Sequence, residues 1–150
     1  MRTAQGWAGR LSWYGLLAVA AATAVVAGSA RGPAPDAHHV EAGQVCRSTL
    51  PPGLELSCGT DGFGDLRRVC PGHGTCTRTT AVTVRNDGTS AVYVTVISGP
   101  RQGVRDQGAN HLVPSGATAV LRPGRAEYLY DITLRATHPE PAVLKVVQVR

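Results

Sequence analysis

From residue 46 onward, apolar and polar positions alternate along short stretches, and Gly, Pro, Asn or Asp divides one stretch from the next. Period-two alternation bounded by turn residues predicts strands. Seven stretches read this way: Leu54–Cys58, Leu66–Cys70, Thr79–Arg85, Ser90–Ser98, Ala117–Arg122, Glu127–Arg135 and Ala142–Val149. The strongest local signal is the pair Thr79–Arg85 and Ser90–Ser98, separated by Asn86-Asp87-Gly88-Thr89. Val82 and Val84 share one face of the first stretch, and Val92, Val94 and Val96 share one face of the second. Asn, Asp and Gly tolerate positive φ at low cost, so the pair predicts a β-hairpin. In Glu127–Arg135 the alternation places Tyr128, Tyr130, Ile132 and Leu134 on a core face, with Glu127, Leu129, Asp131, Thr133 and Arg135 opposite. The tyrosines also suit a sugar-stacking platform, but their company with Ile132 and Leu134 favours the core. The polar, glycine-punctuated segment Gly99–Asn110 reads as a long surface connection. No sustained helical period follows residue 30, and about seven short strands in a hundred residues make the pattern of an antiparallel β-sandwich.

The N-terminal pattern differs. Leu11–Gly28 contains no charge, Arg2 and Arg10 precede it, and Arg31 follows. Positive charge resists translocation, so the Arg-rich flank stays inside and the rest of the chain is exported. Eighteen residues at about 1.5 Å each form a helix of roughly 27 Å, enough to span a thin bilayer core as an anchor. The alternative is a signal peptide cleaved near Ala27-Gly28-Ser29-Ala30. Residues 1–30 are therefore an export signal or membrane-anchor helix and 31–45 a linker, containing the stretch Arg31–Gly43 with the pair His38-His39. Residues 46–150 form the folded domain.

Composition adds two constraints. The chain has 150 residues, 43% hydrophobic and 17% charged, which suits one folded domain. The formal charge of +5 shrinks once Arg2 and Arg10 are assigned to the export segment, leaving 13 basic against 10 acidic side chains. Apart from Arg67-Arg68 the arginines are scattered, with no stripe to follow a phosphate backbone, so nucleic acid is not the expected partner.

Cys46, Cys58, Cys70 and Cys76 all lie beyond the export segment. An even cysteine count outside the cytoplasm implies disulfides, and four cysteines allow three pairings. The spacing lacks a Cys-x2-Cys knuckle for zinc. Pro71, Gly72 and Gly74 are turn residues, so Cys70 and Cys76 should face each other across a hairpin-like bend, at the separation a disulfide requires. The preferred pairing is Cys70–Cys76, with Cys46–Cys58 as the remainder.

The run AVTVRNDGTSAVYVTV, followed by LRPGRAEYLYDITL, resembles the Ig-like β-sandwich modules of bacterial cell-surface proteins of the cell-adhesion-related type. The matching positions are Val82, Val84, Asn86, Gly88, Leu121, Pro123 and Gly124, within roughly residues 79–135. The resemblance implies an all-β, Ig-like antiparallel sandwich, here preceded by one N-terminal hydrophobic helix, with a non-enzymatic adhesion or presentation role. It carries over no functional residue, and the four-cysteine region departs from its pattern.

No catalytic motif appears, and His73, His111 and His138 fall in predicted loops beside Gly, Asn or Pro. No cofactor, metal site or enzymatic activity is expected. The expected protein is an exported, membrane-anchored sandwich with a binding or structural role at the cell surface. Its partner would be an extracytoplasmic protein or a cell-envelope component. Recognition would fall to the connection carrying Arg101, Gln102, Arg105, Asp106, Asn110 and His111, because loops carry recognition while strands carry the fold. The alternative is a secreted inhibitor of protease type, or a small-ligand or metal-binding protein.

Overall fold

The computed structural model describes residues 38–72 and 74–150, all within the compact unit Pro33–Arg150. The expected export helix, the N-terminal part of the expected linker and His73 lie outside the described residues. Ten strands follow in order: β1 (Val45–Ser48), β2 (Glu55–Ser57), β3 (Arg68–Val69), β4 (Thr77–Arg78), β5 (Val82–Asn86), β6 (Val92–Gly99), β7 (Asp106–Val113), β8 (Thr118–Leu121), β9 (Tyr128–Ala136) and β10 (Ala142–Val149). A single π-helical turn, Gly59–Phe63, lies between β2 and β3. One four-stranded sheet has the order β1-β10-β5-β8 and the other β2-β9-β6-β7, and β3 and β4 form a separate two-stranded ladder. Every strand pair is antiparallel.

The two four-stranded sheets bury their apolar faces against each other. Val82 and Val84 of β5, Leu121 of β8 and Leu144 and Val146 of β10 meet Val92, Val94 and Val96 of β6 and Ile132 and Leu134 of β9 in one cluster. Each of these positions was on an alternating apolar face or in a predicted strand, so the core was written in the period-two pattern. Phe63, Leu66 and Val40 extend the cluster, all fully buried.

Four features depart from the sequence pattern. First, β5 and β6 do not form a hairpin: β5 pairs with β10 and β8, β6 with β7 and β9. The segment between them crosses from one sheet to the other. Buried Asn86 fixes this route. Its Oδ1 accepts from the Gly88 amide at 2.9 Å, and its Nδ2 donates to the carbonyls of Ser90 and Val113, both at 2.9 Å. Two strands that each show one apolar face look alike whether they pair side by side or face each other across a core. Alternation alone does not separate the two.

Second, half of the expected connection Gly99–Asn110 is strand. Only about residues 100–105 turn, and Asp106–Val113 forms β7, paired with β6. β7 is an edge strand in which Val113 alone is buried, so it has no hydrophobic alternation to read. A bulge between Thr95 and Ile97 sets two β7 residues, Gly108 and Ala109, opposite Val96.

Third, Tyr128 and Tyr130 are not core residues. Ile97 pairs with Asp131 but Ser98 pairs with Leu129, so Tyr130 is an extra residue on β9. The bulge shifts the phase of the alternation: Leu129 becomes fully buried beside Ile132 and Leu134, while both tyrosines are half-buried at the rim.

Fourth, the expected linker gives way to packed structure at His38. The Asp65 amide donates to the His38 carbonyl at 2.9 Å and the Val40 amide to the Asp65 carbonyl at 3.1 Å. Gly64, at φ +69, permits this contact, because a Cβ there would stand 2.0 Å from the His38 carbonyl oxygen.

Both disulfides take the expected pairing, Cys46–Cys58 with Cα atoms 5.4 Å apart and Cys70–Cys76 with Cα atoms 4.2 Å apart. The first ties β1 to the residue before the helical turn, and both its cysteines are fully buried. The second closes the β3–β4 hairpin just beyond the pair Val69↔Thr77.

Candidate functional site

The β9 bulge, the clamped β3–β4 hairpin and the β6–β7 turn converge at one end of the sandwich. The bulge sets the rings of Tyr128 and Tyr130 side by side, centroids 6.5 Å apart and planes tilted by 44°. Arg78, from β4, places its guanidinium 5.7 Å from the Tyr128 centroid, and Arg105, beyond the β6–β7 turn, lies 5.3 Å from that of Tyr130. Both distances suit cation–π attraction. The turn folds back closely at Gly99, where a Cβ would lie 1.9 Å from the Val104 carbonyl oxygen, so no other residue fits.

Between these elements lies a cleft of about 340 Å³ lined by Asp65, Arg67, Arg68, Gln102 and the two tyrosines. A second hollow continues from it past Arg67, Tyr130 and Arg105 to Asp131. The volume falls in the range of small-ligand sites, though the cleft is open and polar.

Both carboxylates here are engaged within the fold. Arg67 grips Asp65 with two parallel bonds, Nε to Oδ1 and a terminal nitrogen to Oδ2, each 2.9 Å, and its amide donates to the same Oδ1. The guanidinium hydrogen bond holds the Asp65 carboxyl below its usual range, against the opposing effect of partial burial. Asp131 accepts from the amides of Gly59 and Ile132 at 2.8 Å. The arginines are less evenly matched. Arg68 and Arg78 stand directly opposite each other on β3 and β4. Among the described residues neither of them, nor Arg105, forms an ion pair with a carboxylate.

His39 also borders the cleft, its Nδ1 buried without a hydrogen-bond partner and 3.9 Å from Asp65. A ring nitrogen of His39 and the sulfurs of Cys70 and Cys76 lie within 4.8 Å of one another. The sulfurs are bonded to each other, so this trio offers no thiolate to a metal.

The residues expected on the recognition loop divide into three groups. Gln102 and Arg105 reach the cleft. Arg101 is exposed at the turn and its carbonyl accepts from the Val104 amide. Asp106, Asn110 and His111 belong to β7 rather than to a loop, opposite Ser98, Thr95 and Val94. The Thr95 hydroxyl donates to the Asn110 carboxamide oxygen. The cleft also draws on Asp65, Arg67, Arg68, Tyr128 and Tyr130, with Arg78 over the Tyr128 ring, and sequence reasoning did not assign these to a site. Its signals were the one adjacent arginine pair, Arg67-Arg68, and the Tyr-x-Tyr spacing, which without the bulge reads as core.

Comparison with known proteins finds no matching family model, no matching curated protein and no matching solved structure.

Proposed function

We propose that this chain is an exported, membrane-anchored, non-enzymatic binding module of the cell surface, with an Ig-like sandwich as its scaffold. The carrying observation is the cleft at one sandwich end, where two tyrosines and a group of arginines are held by a bulge, a tight turn and a disulfide-closed hairpin. Rigid strands and a covalent clamp position exposed, interaction-rich side chains, the arrangement expected of a recognition site. The uncharged run Leu11–Gly28 behind Arg2 and Arg10 supports export, and two disulfides in so short a domain accord with an oxidising compartment. The Ig-like reading draws support from the partition of β5 and β8 into one sheet and β6, β7 and β9 into the other. It differs from a regular Ig sandwich in that β10 pairs with β5 and not with β9. A non-enzymatic role is supported by the engagement of Asp65 and Asp131 in structural hydrogen bonds, which takes both from acid–base work.

Two measurements test the reading. A C-terminal reporter active only outside the cytoplasm should be active on the full chain, and activity of a cytoplasm-only reporter refutes export. The labelled chain should bind isolated cell envelopes saturably. Paired Tyr128→Ser and Tyr130→Ser changes should weaken that binding while leaving the fold intact, and unchanged binding removes the cleft from the proposal.

A further inference from the structure

We propose that the arginine–tyrosine cleft binds an anionic envelope polymer of sugar or polyol units carrying regularly spaced phosphate or carboxylate groups. This inference rests on the reading of the sandwich as a surface-binding module and names the ligand of that site.

The first argument is the placement of Arg68 and Arg78. Directly opposed residues of an antiparallel ladder share a face, and like charges so placed repel. The ladder has only two residue pairs and spends one of them on this repulsion. The Cys70–Cys76 disulfide closes the same hairpin and keeps the two arginine positions opposite each other regardless. A bound anion turns the repulsion into two attractive, charge-assisted contacts, and arginine forks fit phosphate and carboxylate oxygens.

The second argument is the unequal use of the arginines. Arg67 is neutralised by Asp65. Arg68, Arg78 and Arg105 have no carboxylate within ion-pair distance among the described residues, although the domain has acids to spare on its other surfaces. Arg47, Arg101, Arg122, Arg125, Lys145 and Arg150, outside the cleft, have none either, so what marks the cleft is that Arg68 lines it while Arg78 and Arg105 lie over its two tyrosines.

The third argument is spacing. Each tyrosine has its own guanidinium, and the rings are 6.5 Å apart, so two cationic positions lie side by side, one over each ring. Such a pair suits a chain with repeated charges better than a single small anion. The Gln102 carboxamide at the rim supplies the neutral hydrogen bonds that hydroxyl groups need. Single-stranded nucleic acid is the less suitable polyanion, because its bases stack on open aromatic faces. Here guanidinium groups lie over both rings.

The test uses the full chain in detergent and four probes: poly(glycerol phosphate), polygalacturonate, neutral dextran and an oligothymidylate. At low salt at least one of the first two should bind, with affinity falling steeply as salt rises. Dextran should not bind, and the oligothymidylate should bind more weakly. The double variant Arg68→Ala, Arg78→Ala should lose about tenfold or more in affinity. Its melting temperature should stay close to that of the unchanged chain, since the repulsion removed offsets the lost contact of Arg78 with Tyr128. Arg68→Lys with Arg78→Lys should fall between, because charge remains and the fork is lost. Arg105→Ala, on a different element, should weaken binding as well and serves if the hairpin variant does not fold. The inference is overturned if neither anionic polymer binds, if the alanine variants bind as tightly as the original, or if the oligothymidylate binds best. Envelope binding that survives such a result refutes the ligand class alone; its loss refutes the surface-binding reading too.

Discussion

The Asn86 side-chain amide donates to the Val113 carbonyl at 2.9 Å, linking the end of β5 to the end of β7 in the opposite sheet. The same carboxamide bonds Ser90 and Gly88, so one buried side chain holds together the crossing from sheet to sheet.

Replacing Asn86 by Ala leaves two carbonyls and one amide without that partner, and we expect a loss of about 2–4 kcal/mol in unfolding free energy. Asn86→Asp keeps the acceptor for Gly88 but loses both donors, so it should also destabilise. Denaturant unfolding checks both, and a loss below about 0.5 kcal/mol in each would separate the arch from this side chain.

How far the sequence could be read follows from what each residue's environment writes into it. Val82, Val84, Val92, Val94, Ile132 and Leu134 were legible as core because burial on one face leaves a period-two mark. The cysteine pairing was legible because turn residues between Cys70 and Cys76 fix a bend. Sheet partnership was not, since the valines of β5 and β6 carry the same mark in a hairpin as in an arch. β7 left no mark because all its residues but Val113 are exposed and its order comes from backbone pairing. The cleft was hidden for a third reason. It depends on the extra residue Tyr130, and a bulge is a matter of partner register, which one strand's sequence does not contain.

That bulge makes neighbouring residues differ in stability cost. Leu129→Ala removes a fully buried side chain and should cost about 2–5 kcal/mol, as should Ile132→Ala. Tyr128→Ser, at the half-buried rim, should cost well under half as much, and exposed Arg101→Ala less than about 0.5 kcal/mol. If Tyr128 proves costlier than Leu129, the uninterrupted alternation is right and the bulge is not.

Acid should weaken the Asp65–Arg67 pair. The Asp65 carboxyl is held below its ordinary range in the folded state, so the charged form favours folding. The stabilisation is fully present above the unfolded value of about 4 and is lost as the pH falls through the lower folded value. Because Arg67 is about half exposed, at 47% of its side chain, the contribution should stay under about 1 kcal/mol. The stability difference between the original chain and Asp65→Asn, measured from pH 7 downward, should therefore shrink below about pH 4. A difference that grows in acid contradicts the assigned sign.

Ala126 adopts φ 63, the left-handed region that a Cβ disfavours, in the turn before β9. Glycine removes that clash but gains freedom in the unfolded chain, and the two effects oppose each other. Ala126→Gly should accordingly raise stability by about 0.5–1 kcal/mol. A lowered melting temperature would show that the turn is not strained at this residue.

The two disulfides should differ in their response to reductant. Attack requires a thiolate to reach a sulfur in line with the S–S bond, so access governs the rate under native conditions. Cys46 and Cys58 are both 0% exposed, beneath the contact between β1 and the helical turn, whereas Cys70 and Cys76 are half-buried at the surface. A dithiol should therefore open Cys70–Cys76 in the folded protein and leave Cys46–Cys58 intact until the sandwich unfolds. The consequences differ as well. Loop-closure entropy gives each bond about 2–3 kcal/mol, slightly more for the pair separated by 12 residues than for the pair separated by 6. Only the buried pair is also part of the core cluster, so its loss adds a packing defect. Alkylation during partial reduction, followed by peptide mass mapping, should find label on Cys70 and Cys76 first. The singly reduced protein should keep most of its melting temperature. Its Arg68 and Arg78 are then joined only by a two-pair ladder, so ligand affinity should fall more than stability. Early label on Cys46 or Cys58 would show that the buried bond opens without unfolding, against the packing described.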